Sequence, residues 1–229
     1  AKKTAAKTKR AARPTGRPDG ARRTASTDPA AALRQALLDL VEERGWIDLS
    51  MADIAEHAGV SLADAHRAYR SKAAILVGLT KALDERLIEG LDSDPLEGSA
   101  KDRLFDLLMR RFDILKADRD AYRRLMKQLP ATPGEFAALL CRLRRSLSLM
   151  LEAAGVSASG LKGELRLQGL GAVYTAGLRA FVNDESEDLS KTMAEIDKRL
   201  GQAERLSDLL NRRPAAAASF NRSPWSSPR

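Results

Sequence analysis

Few side chains in this sequence could do covalent or metal chemistry. Its single cysteine, Cys141, excludes both a disulfide within the chain and a zinc site built from cysteines. Cys141 stands among Leu139, Leu140 and Leu143, which predicts a buried structural thiol rather than a nucleophile. The two histidines, His57 and His66, are spaced unsuitably for a shared metal. Asp184, Glu185, Glu187 and Asp188 read as a solvated acidic run at a helix start, not as a general acid–base pair. No glycine-rich phosphate loop follows a strand. The sequence therefore predicts no enzyme: no catalytic residue, no metal site and no cofactor.

What remains is positive charge, and its location decides what it could meet. Residues 1–27 carry nine basic side chains against one acid, and Arg212, Arg213, Arg222 and Arg229 follow Leu210. Against a total of +8, residues 28–210 are left with a net −4. Any nucleic-acid contact by that middle part must come from a local patch. Residues 1–27 contain no Val, Leu, Ile, Met or aromatic residue, which predicts disorder. They read either as a basic arm gathering near DNA phosphates or as a solubilising tail. They lack the apolar core of a secretory signal and the amphipathic stripe of a transit peptide. Residues 212–229 read as a second tail. No apolar run reaches the ~20 residues that a membrane helix needs.

Between the ends the apolar residues recur at helical spacing, which predicts an all-α chain. Asp28-Pro29 is an N-cap followed by proline at the first helical position; Leu33, Leu37, Leu40 and Val41 then share a face until Gly45. Ser50 and Asp53 form a capping box on a short helix that buries Ile54 and Ala55 and closes at Gly59. Ser61 caps a third helix running to about Tyr69. Ser71 caps a fourth, with the stripe Ile75, Leu76, Leu79, Leu83 and Leu87. After a break at 93–99, helices are expected at about 101–116 and 119–128. Thr132 and Glu135 have capping-box spacing and open a helix expected to reach about Ala154. Two long helices follow, near 159–182 and 187–210. Nine helices fall into two parts.

The first part carries the functional signal. A short helix, the turn Gly59-Val60-Ser61 and a second short helix make a helix-turn-helix pattern, in which glycine permits the tight turn. The run Ile54-Ala55-Glu56-His57-Ala58-Gly59-Val60-Ser61, then Tyr69, then Ser71-Lys72-Ala73-Ala74-Ile75-Leu76, resembles the DNA-binding domain of the TetR family of bacterial repressors over residues 30–80. By this resemblance Ser50 offers its hydroxyl to a phosphate, and Ser61, Leu62, Ala63 and Asp64 open the recognition helix. His66 stands where the family usually has a phosphate-contacting tyrosine, and Arg67 keeps the surface basic. Tyr69 holds the packing aromatic's place, and Lys72 grips the DNA backbone. Asp64 and Ala65 depart from the family pattern. Asp64 would repel phosphate unless it accepts from a cytosine amine.

The resemblance further implies a homodimer on a palindromic double-stranded operator, in the bacterial cytoplasm, released by a small apolar ligand held in the second part. Candidate pocket liners, which read equally well as plain core, are Met109, Phe112, Tyr122, Met126, Phe136 and Tyr174. Gly169, Ala172, Ala176 and Ala180 line one face of the helix near 159–182. They fit the family's dimer interface, or else tight packing within one subunit. The expected division is a basic arm at 1–27, a helix-turn-helix unit at 28–80, a ligand and dimer bundle at 81–211 and a tail at 212–229. A second resemblance covers Val173-Tyr174, Asp184 to Asp188, Thr192 and Ile196-Asp197-Lys198-Arg199-Leu200. These are similar to the end of the coenzyme Q biosynthesis accessory proteins, which implies, as the alternative, an isoprenoid-binding protein without an operator.

Overall fold

The computed structural model describes residues 28–211. They form nine α-helices: α1 (Pro29–Arg44), α2 (Met51–His57), α3 (Leu62–Ala68), α4 (Lys72–Ser93), α5 (Ala100–Leu115), α6 (Arg119–Gln128), α7 (Pro133–Ala153), α8 (Gly160–Phe181) and α9 (Ser190–Asn211). Single 3₁₀ turns lead into α6 and α7, at Lys116–Asp118 and Leu129–Ala131. The fold is all-α, with a helix-turn-helix head on a helical body.

The expected caps form because each is a short-range event. Asp28 accepts from the amide of Ala30 at 2.9 Å, Pro29 begins α1, and Gly45 ends it at φ 87°. Ser50, Ser61 and Ser71 each accept from the amide three residues on. The second expected capping box does not form. The 3₁₀ turn before α7 takes the Thr132 hydroxyl, which donates to the Leu129 carbonyl at 3.0 Å. Glu135 is engaged elsewhere, by Trp46. The reciprocal box occurs instead at α5, between Ser99 and Asp102.

Two cores hold the chain, and they do not respect the expected boundary at residue 80. The head core gathers Leu33, Leu37, Trp46, Ile54 and Ile75, but also Ala121 and Leu125 from α6 and Leu129 from the 3₁₀ turn after it. The 22-residue α4 passes straight through the boundary, its Ile75 and Leu76 in the head and its Leu83 and Leu87 in the body. Head and body are therefore joined by a continuous helix and a shared one. In the body core Phe112 stacks on Tyr174 at 5.6 Å and tilts against Phe181 at 5.2 Å.

Cys141 is exposed, against the expectation of a buried thiol. Two residues around a helix are about 200° apart, so Leu139 and Leu143 turn inward while Cys141 faces out.

The acidic run also differs from its reading as uniformly solvated. Glu185, Glu187 and Asp188 are exposed, but Asp184 is fully buried and caps α9 from a distance. Its Oδ2 accepts from the Thr192 amide and hydroxyl, both at 2.8 Å, and its Oδ1 from the Ser186 amide at 3.1 Å. Burial pushes the Asp184 carboxyl up, but the bonds from Ser186 and Thr192 outweigh it and bring its pKa down to about 2. An unfolded aspartate titrates near 3.9, so this stabilisation is complete above about pH 4 and lost as pH falls through 2. It amounts to about 2 to 3 kcal/mol at pH 7. Asp184→Asn should lose most of it at pH 7 and match the parent chain near pH 2, as read by urea unfolding across that range.

Candidate nucleic-acid interface

Local backbone chemistry fixes the turn between α2 and α3. Gly59 adopts φ +67°, and the amides of Gly59 and Val60 donate to the carbonyls of Glu56 and Ala55 at 3.0 and 2.9 Å. Ala65 anchors α3 in the head core with no exposed surface. The other side of α3 is open: Leu62, Ala63, His66 and Arg67 are exposed, as are the capping Ser61 and, beyond the helix end, Arg70.

Asp64 is half-buried, accepts from the Ser61 hydroxyl and forms an ion pair with Arg67. Its charge is thereby answered within one turn, and Arg67 is partly spoken for. Ser50 is exposed, with its hydroxyl on the Asp53 carboxylate. That bond, more than any other influence, holds Asp53 below the ordinary carboxylate range.

Tyr69 packs inside the head, as its place in the pattern implies, and Lys72, the expected backbone contact, has partners within the chain. Tyr69 faces inward: its hydroxyl accepts from Arg34 at 2.8 Å, and a Cβ added at Gly78 would lie 2.6 Å from its ring. It packs α3 onto α1 and α4. The Lys72 ammonium donates to the carbonyls of Trp46 and Ile47 at 3.0 and 3.3 Å and lies 4.6 Å from the Trp46 ring centroid. Lys72 clamps the loop before the helix-turn-helix instead of standing free.

That loop holds the residue the sequence reading missed. Trp46 is fully buried; its indole N–H donates to Glu135 Oε2 of α7 at 2.7 Å, and its amide donates to Gln128 of α6. One residue thus meets α4 and α7 through its side chain and α6 through its amide.

In the body, Met109, Phe112 and Tyr174 are buried in one core, with Tyr122 and Met126 packed against it; Phe136 packs on the head core instead. Burial holds the Tyr122 phenol well above its ordinary range. None of the six lines the apolar cleft of about 570 Å³ between α5, α8 and α9. A buried polar group also escaped the sequence reading. Asp84 of α4 pairs with Arg111 of α5 at 2.8 Å and with Arg142 of α7, while Ser146 bonds both Asp84 and Arg111. Along α8, Ala172 is exposed and Gly169, Ala176 and Ala180 are partly so, on one outer face.

His57 lies 3.4 Å from Asp39. Among the described residues no three His, Cys, Asp or Glu side chains are grouped to hold a metal, and no helix is long and apolar enough to cross a membrane.

Comparison with known proteins bears on the same region. Residues 33–79 match the family model of bacterial regulatory proteins of the tetR family. Nothing matches among curated proteins. Among solved structures, the chain is similar to a TetR transcriptional regulator from Nitrosomonas europaea, at 23% identity and TM-score 0.63, over 78% of this chain and 99% of that one. It is also similar to one from Rhodococcus sp. RHA1, at 18% and 0.56, over 76% and 94%. A third is the fatty acid degradation regulator FadR from Bacillus halodurans, at 16% and 0.56, over 76% and 95%. The helix-turn-helix region matches that family's model over residues 33–79, and the described chain shares the fold of these regulators.

Proposed function

We propose that the protein is a homodimeric transcriptional repressor whose α3 enters the major groove of a palindromic operator and whose hold is relieved by a small apolar ligand. The observation that carries this reading is the open face of α3, with Leu62, Ala63, His66 and the basic Arg67 exposed on a helix anchored by Ala65, its capping Ser61 exposed at one end and the basic Arg70 just beyond the other. Ser50 is the phosphate contact at the start of α2. The outer face of α8, through Gly169, Ala172, Ala176 and Ala180, joins the two copies. Their α3 helices then meet successive grooves ~34–36 Å apart. Residues 28–80 read DNA and residues 81–211 take the ligand and dimerise, with α4 and α6 shared. The FadR neighbour's printed role in fatty acid degradation supports a ligand of apolar character. The basic arm at 1–27 and the tail at 212–229 lie outside the described residues; the arm adds sequence-independent phosphate contacts. The residues behind the coenzyme Q resemblance have structural roles here, Asp184 and Thr192 capping α9 and Tyr174 and Ile196 filling the body core.

Salt-dependent DNA binding tests the reading. Arg70→Ala should lower the slope of log affinity against log salt by about one, and Arg67→Ala by less, because Asp64 already pairs with Arg67. Unchanged slopes for both variants would take α3 off the DNA.

A further inference from the structure

We infer that Arg67 reads a guanine in the operator, and that Ser61 and Asp64 are the positioning residues that aim it. The inference rests on the reading that α3 enters a major groove, and it gives that contact a residue and a base. Arg67 belongs to the last turn of α3, but its guanidinium is drawn back over the first, where Ala63 and Asp64 stand. Its Nη2 donates to Asp64 Oδ1, and its Nε donates to the Ala63 carbonyl at 3.4 Å. Asp64 is itself fixed. Its Oδ2 accepts from the Ser61 hydroxyl at 2.5 Å, and its amide donates to that hydroxyl oxygen at 3.1 Å. The guanidinium is thereby held at the N-terminal part of a recognition helix, the part that meets base edges.

The pairing leaves one edge of the guanidinium for a base. Asp64 and Ala63 take the edge formed by Nε and Nη2. The other edge, formed by Nη1 and Nη2, is open: Nη1 bonds to none of the described residues, and the side chain is 76% exposed. That edge carries two parallel N–H groups. They match the O6 and N7 acceptors that guanine presents side by side in the major groove, whereas adenine would set its amino donor against one of them.

Charge separates this role from phosphate binding. An arginine already answered by a carboxylate gains little from a phosphate, because the pair as a whole is neutral. Its directed donors keep their value at a neutral base edge. Arg70, exposed beyond the helix end, is the residue left for phosphate.

The test uses the sequence that the full chain selects from random duplexes, with affinity measured for each base at each half-site position. The parent should prefer guanine at one position per half-site by about tenfold or more. Placing 7-deazaguanine there, which lacks N7, should weaken the parent several-fold. Arg67→Ala should flatten that position to within about twofold, abolish the deaza effect and leave the other positions unchanged. Asp64→Asn should reduce the preference at the same position, add nothing to the loss in the Arg67→Ala background, and raise affinity for random duplexes by freeing Arg67 for phosphate. A merely structural role for Asp64 would instead lower affinity for every duplex. Melting curves matching the parent's keep a folding defect out of the comparison. Guanine preference that survives Arg67→Ala would overturn the inference while leaving the regulator standing. So would an Asp64→Asn effect at a different base pair, which would put Asp64 on a cytosine amine. A parent chain that selects no sequence would overturn the regulator reading, and this contact with it.

Discussion

Arg111→Met should cost about 3–5 kcal/mol of stability, because it leaves a buried carboxylate without its principal partner. Arg111 is 1% exposed and Asp84 3%. The guanidinium pairs with Asp84 at 2.8 Å, donates to the Ser146 hydroxyl at 2.8 Å and lies 5.3 Å from the Tyr174 ring centroid. Arg142 remains beside Asp84 in the variant but reaches only its other oxygen. The double variant Asp84→Asn/Arg111→Met removes the orphaned charge and should be more stable than Arg111→Met alone. Denaturant unfolding of the parent, both singles and the double reads the coupling directly. Additive costs would show that the pair is not a unit. The network joins α4, α5, α7 and α8, so it also fixes the helix that carries the head.

Trp46→Ala should be comparably severe, at about 3–5 kcal/mol, from the loss of a fully buried ring in the head core. Trp46→Phe separates packing from hydrogen bonding. It keeps an aromatic ring but leaves Glu135 Oε2 without the indole donor, for about 1–3 kcal/mol. Both variants remove the indole bond that ties the head to α7. DNA affinity measured where each variant is fully folded should therefore still fall below the parent's. Parental affinity in folded Trp46→Phe would show that the Trp46–Glu135 bond does not set the angle of the head.

These two residues also mark where sequence reading stops. The caps at Asp28, Ser50, Ser61 and Ser71 were legible because a side chain reaching an amide two or three residues on needs no knowledge of the rest of the fold. The turn at Gly59 and the open face of α3 follow from equally local signals. Periodicity, however, says which side of a helix is apolar and not which core it serves. Hence spacing alone assigns α6 to the body, although its Ala121 and Leu125, with Leu129 just beyond, complete the head. Trp46 and Glu135, or Asp84 and Arg111, meet across long stretches of sequence that carry no local signature. Lys72 shows the same limit at shorter range. Its position after a capping serine fits a phosphate contact, but nothing in that position foretells the two carbonyls and the indole face that its ammonium meets within the chain. Thr132 and Glu135 had the spacing of a box, but a 3₁₀ turn and a tryptophan claimed them.

In the proposed mode α3 reads DNA as one of a symmetric pair. The most direct measurement is selection of bound duplexes from a random pool by the purified full chain, with the stoichiometry of the selected complex determined. The expected result is an enriched inverted repeat, its half-sites about one helical turn or a multiple apart, bound by an even number of chains. An unenriched pool, or a single asymmetric half-site held by one chain, would contradict it.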